Sequence, residues 1–257
     1  MILVIDIGNS NIVFGIFNND EILSEFRIDT SRAKNASIYE ASFRDHLLEK
    51  NIAIDQIKLQ LLSSVVPDVT QAIEDMCIHL FGKKPLRAGR ETFHKLPLSI
   101  LNPNQIGTDL VANALFAHEN YKEDCIVVDF GTALTFTAVD ANGSIIGVNI
   151  APGLKTAMKA LSGNTAQLPE IPLEFPKQVI GTDTVSAIQA GIMIGYTGLV
   201  KHMLNTMKTS LAPNCKTLAT GGLSTILNHL HNEFDKVDQH LTLKGLLAMI
   251  KYVKVND

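Results

Sequence analysis

Two carboxylates in this chain stand where phosphate chemistry can use them. Asp6 ends the apolar run Ile2-Leu3-Val4-Ile5 and opens Asp6-Ile7-Gly8-Asn9-Ser10. Asp129 ends Ile126-Val127-Val128 and opens Asp129-Phe130-Gly131-Thr132-Ala133. A turn that meets a polyphosphate must bring backbone N–H groups close to anionic oxygens, and Gly8 and Gly131 allow this because they lack a Cβ. Asn9, Ser10, Asn11 and Thr132 add neutral donors, and a carboxylate at a strand end can hold a cation or its waters. A lone Asp-x-Gly reads equally well as a hairpin turn; two copies in matching surroundings point to nucleotide binding. A third carboxylate, Asp109, follows Ile106-Gly107-Thr108 at the start of a helix pattern. It can take the proton of an acceptor hydroxyl during phosphoryl transfer, or it can be a plain capping residue at a helix start. Gly-x-x-x-x-Gly-Lys-Ser/Thr and the protein-kinase motif set are both missing from the sequence, which excludes those classes on motif grounds.

The elements that must position these residues repeat as well. The first turn leads into a strand (Asn11 to Phe17), a polar turn (Asn18-Asn19-Asp20) and a third strand (Glu21 to Ile28). The second leads into Leu134 to Val139, the turn Asp140 to Gly143, and Ser144 to Ile150. Ser37 to Lys50 is predicted as an amphipathic helix with Ala41, Leu47 and Leu48 inward. Leu59 to Val66 reads as a strand buried on both faces. Asp68 to Phe81 reads as a helix capped by Asp68 and stopped by Gly82. Ile106 to Asn120 and Leu154 to Leu161 are further helices, and a long helix is expected from Thr182 to Leu211. Thr217 to Thr220 is a short strand, and two helices are expected after it. The order βββαβα, given twice, predicts an α/β chain with a duplicated ribonuclease-H-like fold of the actin, Hsp70 and sugar-kinase type, with an ATP cleft between the halves. The halves are expected at 1–121 and 122–257. Gly181-Thr182-Asp183-Thr184 is either a capping segment or, since helix starts bind anions, a substrate contact through Thr184. Thr220-Gly221-Gly222 is either a tight strand-to-helix turn or a rest for adenine or ribose.

The 257 residues carry 22 Lys and Arg against 26 Asp and Glu, a net charge of −4, with no basic block and no Trp. Neither the cation cluster that nucleic-acid backbones need nor the stacking platforms that single strands need is present. Cys77, Cys125 and Cys215 lie far apart in sequence and are expected to be reduced, buried thiols. Met1 runs directly into the first strand, so no signal peptide is expected. Thr184 to Val200 carries no charge, but its Ser, Gln, Tyr and Gly residues favour a buried helix over a membrane span. Gly191 and Gly195, four apart, predict close packing of that helix on a neighbouring helix or subunit. The eight His residues show no metal-ligand spacing.

Seven segments, in this order, resemble the motifs of type III pantothenate kinases: Asp6 to Ser10, Asn102-Pro103, Gly107-Thr108-Asp109, Val128 to Ala133, Ala151 to Leu154, Thr165 to Pro169, and Thr220-Gly221-Gly222. The resemblance implies ATP-dependent phosphorylation of pantothenate to 4'-phosphopantothenate, the first step of coenzyme A synthesis. It further implies a cytoplasmic homodimer with its substrate pocket at the subunit interface. By matching position, Asp109 would be the proton acceptor. Asp6, Ile7, Gly8, Asn9, Ser10, Asn11, Ile12 and Val13 would hold the ATP phosphates, and Thr132 would also contact ATP. Gly107, Thr108, Asp109, Leu110 and Thr184 would line the pantothenate site. Asp129 would bind a monovalent cation, potassium or ammonium, and Asp6 would serve magnesium through its waters. Three positions depart from the family pattern: Leu110 stands where Arg is usual, Ile100 where Tyr is frequent, and Val148 where a Gly is expected. The first two bear on acceptor affinity or identity. The alternatives are therefore a kinase for a different small hydroxy acid and a non-catalytic regulatory homologue.

Overall fold

The apolar run after Met1 forms β1 (Ile2–Ile7), and the chain returns antiparallel through β2 (Asn11–Asn18) and β3 (Glu21–Asp29). The turn from β2 to β3 places Asn19 at φ 54°, a left-handed conformation that Asn tolerates. The computed structural model describes residues 1–33, 35–164, 168–224 and 228–254. After β3 come α1 (Ala36–Glu49), β4 (Leu59–Ser64), α2 (Pro67–Phe81), the short strands β5 (Leu86–Ala88) and β6 (Ser99–Ile100), and α3 (Thr108–Tyr121). The second set of strands is β7 (Cys125–Phe130), β8 (Ala133–Val139) and β9 (Ser144–Pro152). Then follow α4 (Leu154–Gly163), α5 (Thr184–Gln189), a π turn over Ala190–Ile194, α6 (Gly195–Ser210), β10 (Lys216–Thr220), β11 (Lys236–Val237) and α7 (Leu241–Val253). Contacts group the chain into two units. One is Met1–Phe116 together with the described residues from Thr242 onward; the other is Ala117–Leu241. The boundary expected at 121/122 falls a few residues later than this division, and α7, expected with the second half, groups with the first unit.

In the first unit the sheet order is β3-β2-β1-β4-β5, with β1, β4 and β5 mutually parallel. Alternation along β1 sends Leu3, Ile5 and Ile7 to one face. There they join Phe14, Phe43, Leu47, Ile73 and Met76 in a core that α1 and α2 cover. The inward face of α1 is Tyr39, Phe43, His46 and Leu47; Leu47 is inward as expected, but Ala41 is exposed and Leu48 is 75% exposed. The i, i+4 and i+7/i+8 spacing from Tyr39 defines that stripe, and the aromatic rings dominate it. Asp68 does not cap α2. Val66 is the N-cap, Pro67 occupies the first helical position, and the Ser64 hydroxyl accepts the Val66 N–H at 3.0 Å. Gly82 ends the helix as expected, in the left-handed conformation at φ 71°. On α7, Gly245 meets Ala112 of α3 so closely that a Cβ there would overlap the Ala112 carbonyl. The Thr242 hydroxyl donates to Asn113 Oδ1 at 2.9 Å at the same contact.

The second unit repeats this plan. Its strands lie in the order β9-β8-β7-β10-β11, with β7–β8 and β8–β9 antiparallel and β7–β10 and β10–β11 parallel. Substituting β7 to β11 for β1 to β5 gives the first sheet's order strand for strand. Each sheet also has one register shift near the end of its second strand, at Ile16/Phe17 and at Ala138/Val139. The duplicated ribonuclease-H-like fold follows from this matched topology. Ile126, Val128, Phe130, Leu134 and Phe136 face a core completed by Leu154, Met193, Val200 and Leu204. Two expectations change here. The long helix is interrupted by the π turn, and after Thr220 the described residues contain a 3-10 turn (Asn228–Glu233) and the parallel strand β11 before one α-helix, not two. No helix among the described residues is long and apolar enough to cross a membrane.

Candidate active site

Both Asp-x-Gly turns close hairpins, and each is pinned by a threonine further along the chain. In the first, Gly8 N–H donates to Asn11 O at 2.9 Å and Asn9-Ser10 form the tip. The Thr30 hydroxyl donates to Gly8 O at 2.7 Å and the Thr30 N–H to Ser10 O at 3.0 Å. In the second, Gly131 N–H donates to Ala133 O at 3.1 Å, leaving Thr132 alone at the tip, so this turn is one residue shorter. Thr132 O accepts both the Gly153 N–H at 3.0 Å and the Thr156 hydroxyl at 2.6 Å, which locks the tip to the start of α4. Gly153 is required for that approach, since a Cβ would lie 2.6 Å from Thr132 O.

Asp109 sits in the first turn of α3 and belongs to the same unit as the Asp6 turn. Its Oδ1 accepts the Leu110 N–H at 2.9 Å, while Val111 N–H reaches back to Gly107 O at 3.2 Å to start the helix. A Cβ at Gly107 would overlap Asp109 Oδ1 and force the carboxylate to move, while Val65 Cγ1 would lie in ordinary contact at 3.8 Å. Val65 N–H in turn donates to Ile7 O at 3.0 Å, which fixes Val65 at the end of β1 beside the first turn. The Asp109 residue keeps some exposure, but its carboxyl is enclosed. That enclosure pushes its pKa up from 3.8; the N–H groups of Leu110 and Asp109 pull the other way and do not prevail. An enclosed carboxylate with a raised pKa is suited to accept a proton from an alcohol. Thr108 and Leu110 are buried, so the acceptor segment presents the Asp109 carboxyl, and Leu110 turns inward.

Thr184 lies in the second unit and is exposed. Asp183 beside it is an N-cap: its Oδ1 accepts the Ser186 N–H at 3.0 Å, and its Oδ2 accepts the Ser186 hydroxyl at 2.7 Å. Those bonds from Ser186 lower its pKa. Thr182, Asp183 and Thr184 line one side of a pocket of about 600 Å³ whose apolar wall includes Leu161, Ile188 and Ile192. Past Thr220 the chain turns at Gly221, with φ 92°; a Cβ there would lie 2.5 Å from Asp129 Oδ1 and 2.7 Å from the Phe130 backbone. The Thr220-Gly221 turn therefore packs directly on the Asp129 carboxylate. The Thr165 to Gln167 part of the expected motif lies outside the described residues.

Among the described residues, no three His, Cys, Asp or Glu side chains gather as a metal centre. Each turn instead offers one carboxylate beside a neutral hydroxyl oxygen. Asp6 is in register with Ser63 of β4, and Asp129 with Thr220 of β10. Ser63 and Thr220 are fully buried, and neither hydroxyl has a hydrogen-bond partner among the described residues. Sequence reasoning missed both hydroxyls, because only strand register brings them to the carboxylates. The three thiols are free and buried; burial pushes Cys77 and Cys125 up to about 12, which leaves them unreactive.

A family model described as type III pantothenate kinase matches residues 2–206. A type III pantothenate kinase of Geobacter sulfurreducens is 35% identical over 246 residues, covering 96% of each chain. Two solved structures share the fold at low identity. One is a Campylobacter jejuni protein assigned to the Baf family of transcriptional activators (21% identity, TM-score 0.59, 97% of this chain and 98% of that one). The other is a Sinorhizobium meliloti protein assigned as a 2-dehydro-3-deoxygalactonokinase (12% identity, TM-score 0.59, 98% and 96%).

Proposed function

The chain belongs to the type III pantothenate kinase family, and from that membership we propose that it transfers the γ-phosphoryl group of ATP to the primary hydroxyl of pantothenate. The products are 4'-phosphopantothenate and ADP, and the step opens coenzyme A synthesis in the cytoplasm. The observation that carries this reading is the enclosed Asp109 carboxyl at the start of α3, in the same unit as the first Asp-x-Gly turn.

Phosphoryl transfer asks little covalent chemistry of a protein and much positioning and charge neutralisation. The backbone of Asp6 to Val13 and the Thr132 tip hold the ATP phosphates, with Gly8 and Gly131 permitting close approach. The segment Gly107, Thr108, Asp109 and Leu110 lines the pantothenate site with Thr184, and since the Thr108 and Leu110 side chains are buried it acts through its backbone and the Asp109 carboxyl. Asp109 accepts the proton as the pantothenate oxygen attacks, and its raised pKa makes it the stronger base. Magnesium at Asp6, through water, and a potassium or ammonium ion at Asp129 supply neutralising charge when bound. The orphaned hydroxyls of Ser63 and Thr220 fit such ions as further oxygen donors.

A homodimer is part of the reading. A methyl added at Gly191, Gly195 or Gly198 would meet nothing within 4 Å, and Val185 and Ile194 are exposed nearby. Among the described residues, these glycines meet no neighbouring helix within that distance, and the face they share suits a second copy. The test is ATP consumption with pantothenate, magnesium and potassium, run beside a panel of other small hydroxy acids. Turnover with pantothenate is expected; turnover only with another acid would reassign the acceptor, and none with any acceptor would leave a regulatory role.

A further inference from the structure

We propose that Thr135 and Thr220 supply hydroxyl oxygens to a monovalent cation held by Asp129. The inference rests on the cation role proposed above for Asp129. Three adjacent strands bring the residues together: Asp129 of β7 is in register with Thr135 of antiparallel β8 and with Thr220 of parallel β10. Residues in register share a sheet face, and neighbouring strands lie about 4.8 Å apart. The carboxylate is therefore flanked on both sides, one strand away, by a threonine hydroxyl. Thr220 is 0% exposed and Thr135 8%, and neither hydroxyl has a hydrogen-bond partner among the described residues. Buried hydroxyls are rarely left unmade, and two of them beside one carboxylate call for a shared partner. Gly221 adds to this by holding the chain after Thr220 against Asp129 Oδ1.

The two buried hydroxyls separate this site from a magnesium site, since magnesium keeps several waters and is held through one or two carboxylates with substrate phosphates. One carboxylate with neutral oxygens suits a singly charged, weakly hydrated cation of the potassium or ammonium kind. A calcium-type site gathers several carboxylates and carbonyls, and no such cluster exists among the described residues. The first turn differs at this point: Asp6 is flanked by Val13 and Ser63, one hydrocarbon and one hydroxyl. Thr137 provides an internal control. Its hydroxyl is also buried and without a partner, but it opposes Val127, two residues along the strand and about 7 Å away.

The experiment is thermal denaturation of the full chain across a potassium chloride series, with ionic strength held constant by tetramethylammonium chloride. The wild type should gain Tm as potassium rises. Thr135→Val and Thr220→Val should each raise the half-saturating potassium concentration at least fivefold, and the double variant should lose the response. Thr220→Ser, which restores the oxygen, should stay within twofold of wild type, and Thr137→Val should be unchanged. If Asp129→Asn abolishes the response while both valine variants titrate like wild type, the hydroxyls are not donors and the inference fails alone. A valine variant with a lower potassium-free Tm but an unchanged half-saturation would assign that threonine a packing role and overturn the inference in the same way. If the wild type gains nothing, or Asp129→Asn responds fully, the cation reading of Asp129 falls and takes the inference with it.

Discussion

Replacing Asp109 with Asn is expected to move activity and stability in opposite directions. The substitution preserves the side-chain shape and an Oδ1 able to accept the Leu110 N–H, now at 2.9 Å. It removes the capacity to take a proton. A positioned general base contributes about 10²- to 10⁴-fold to rate, which at about 1.4 kcal/mol per decade is roughly 3–5 kcal/mol of barrier. The loss should fall on kcat, with the KM for ATP little changed, because Asp109 is not assigned to the nucleotide. Stability follows from the direction of the pKa. Enclosure raises the Asp109 pKa in the folded chain above 3.8, so the folded state binds that proton more tightly than the unfolded state. The resulting stabilisation is whole below the unfolded value and is lost as pH rises through the folded value. At neutral pH the ionised carboxylate is a net burden on the fold, and uncharged Asn relieves it. The assay pairs steady-state kinetics with thermal denaturation at about pH 7.5 and at about pH 4. The variant should have the higher Tm at the upper pH, with its advantage shrinking at the lower. In wild type the acid limb of kcat/KM should lie above the range of an ordinary Asp. Near-normal kcat in the variant would refute the base assignment, and a lower Tm at neutral pH would refute the claim that enclosure dominates the carboxyl's energetics.

Gly107→Ala should shift the Asp109 carboxylate, because its Cβ would overlap Oδ1; kinetics should show kcat down about tenfold or more, as misplacement of a reacting group by about 1 Å can cost 100-fold. Gly221→Ala should destabilise by about 1–3 kcal/mol through its left-handed φ of 92° and its clash with the Phe130 backbone, and an unchanged urea midpoint would contradict this. Stability should fall in mild acid through His46, which lies 2.7 Å from the Ser24 hydroxyl and stacks on Phe26. Burial first, then Lys50, lowers its pKa below 6.5, against a smaller upward pull from Glu49. The stability its neutral form contributes is present above about pH 6.5 and is lost as pH falls through the lowered value. Urea unfolding of wild type and His46→Leu between pH 7.5 and pH 5 should show a shallower decline in the variant.

The elements legible in the sequence are those whose information is local. The Asp-x-Gly turns, their hairpins and the apolar run of β4 carry short-range patterns, and Gly82 stops α2 by its own backbone freedom. What escapes depends on tertiary neighbours. β5 and β11 have three and two residues, too few for any periodicity, yet each forms an edge of its sheet. The α1 face departs from expectation because Leu48 resembles a core residue in composition, while the stripe through Tyr39, Phe43 and His46 faces the sheet. The grouping of α7 with the first unit rests on Gly245 and Ala112, more than 100 residues apart in sequence, with no local signature at either end. Asp109 is legible as a helix-start carboxylate, but the enclosure that raises its pKa is not.

The duplication explains why one turn motif can support two tasks. Matched strand orders give each half a carboxylate at the end of its central strand and a buried hydroxyl beside it, so the scaffold alone assigns neither copy a role. The proposed roles rest on the residues that differ. The first turn has a two-residue tip, Asn9-Ser10, with two polar side chains, and a hydrocarbon, Val13, on one flank of Asp6. That arrangement favours reaching outward to phosphate with backbone and side-chain donors. The second has a single-residue tip locked to α4 through Thr132 O, and threonines on both flanks of Asp129. A shorter, locked turn over a carboxylate between two hydroxyls is the better cation holder, since a weakly bound ion is retained only where its oxygens are already in place. Exchanging the flanks tests that division directly. Val13→Thr in the first unit should leave the potassium response unaltered, whereas Thr135→Val in the second should weaken it. Equal effects would mean that the two halves have not diverged in the way their side chains indicate.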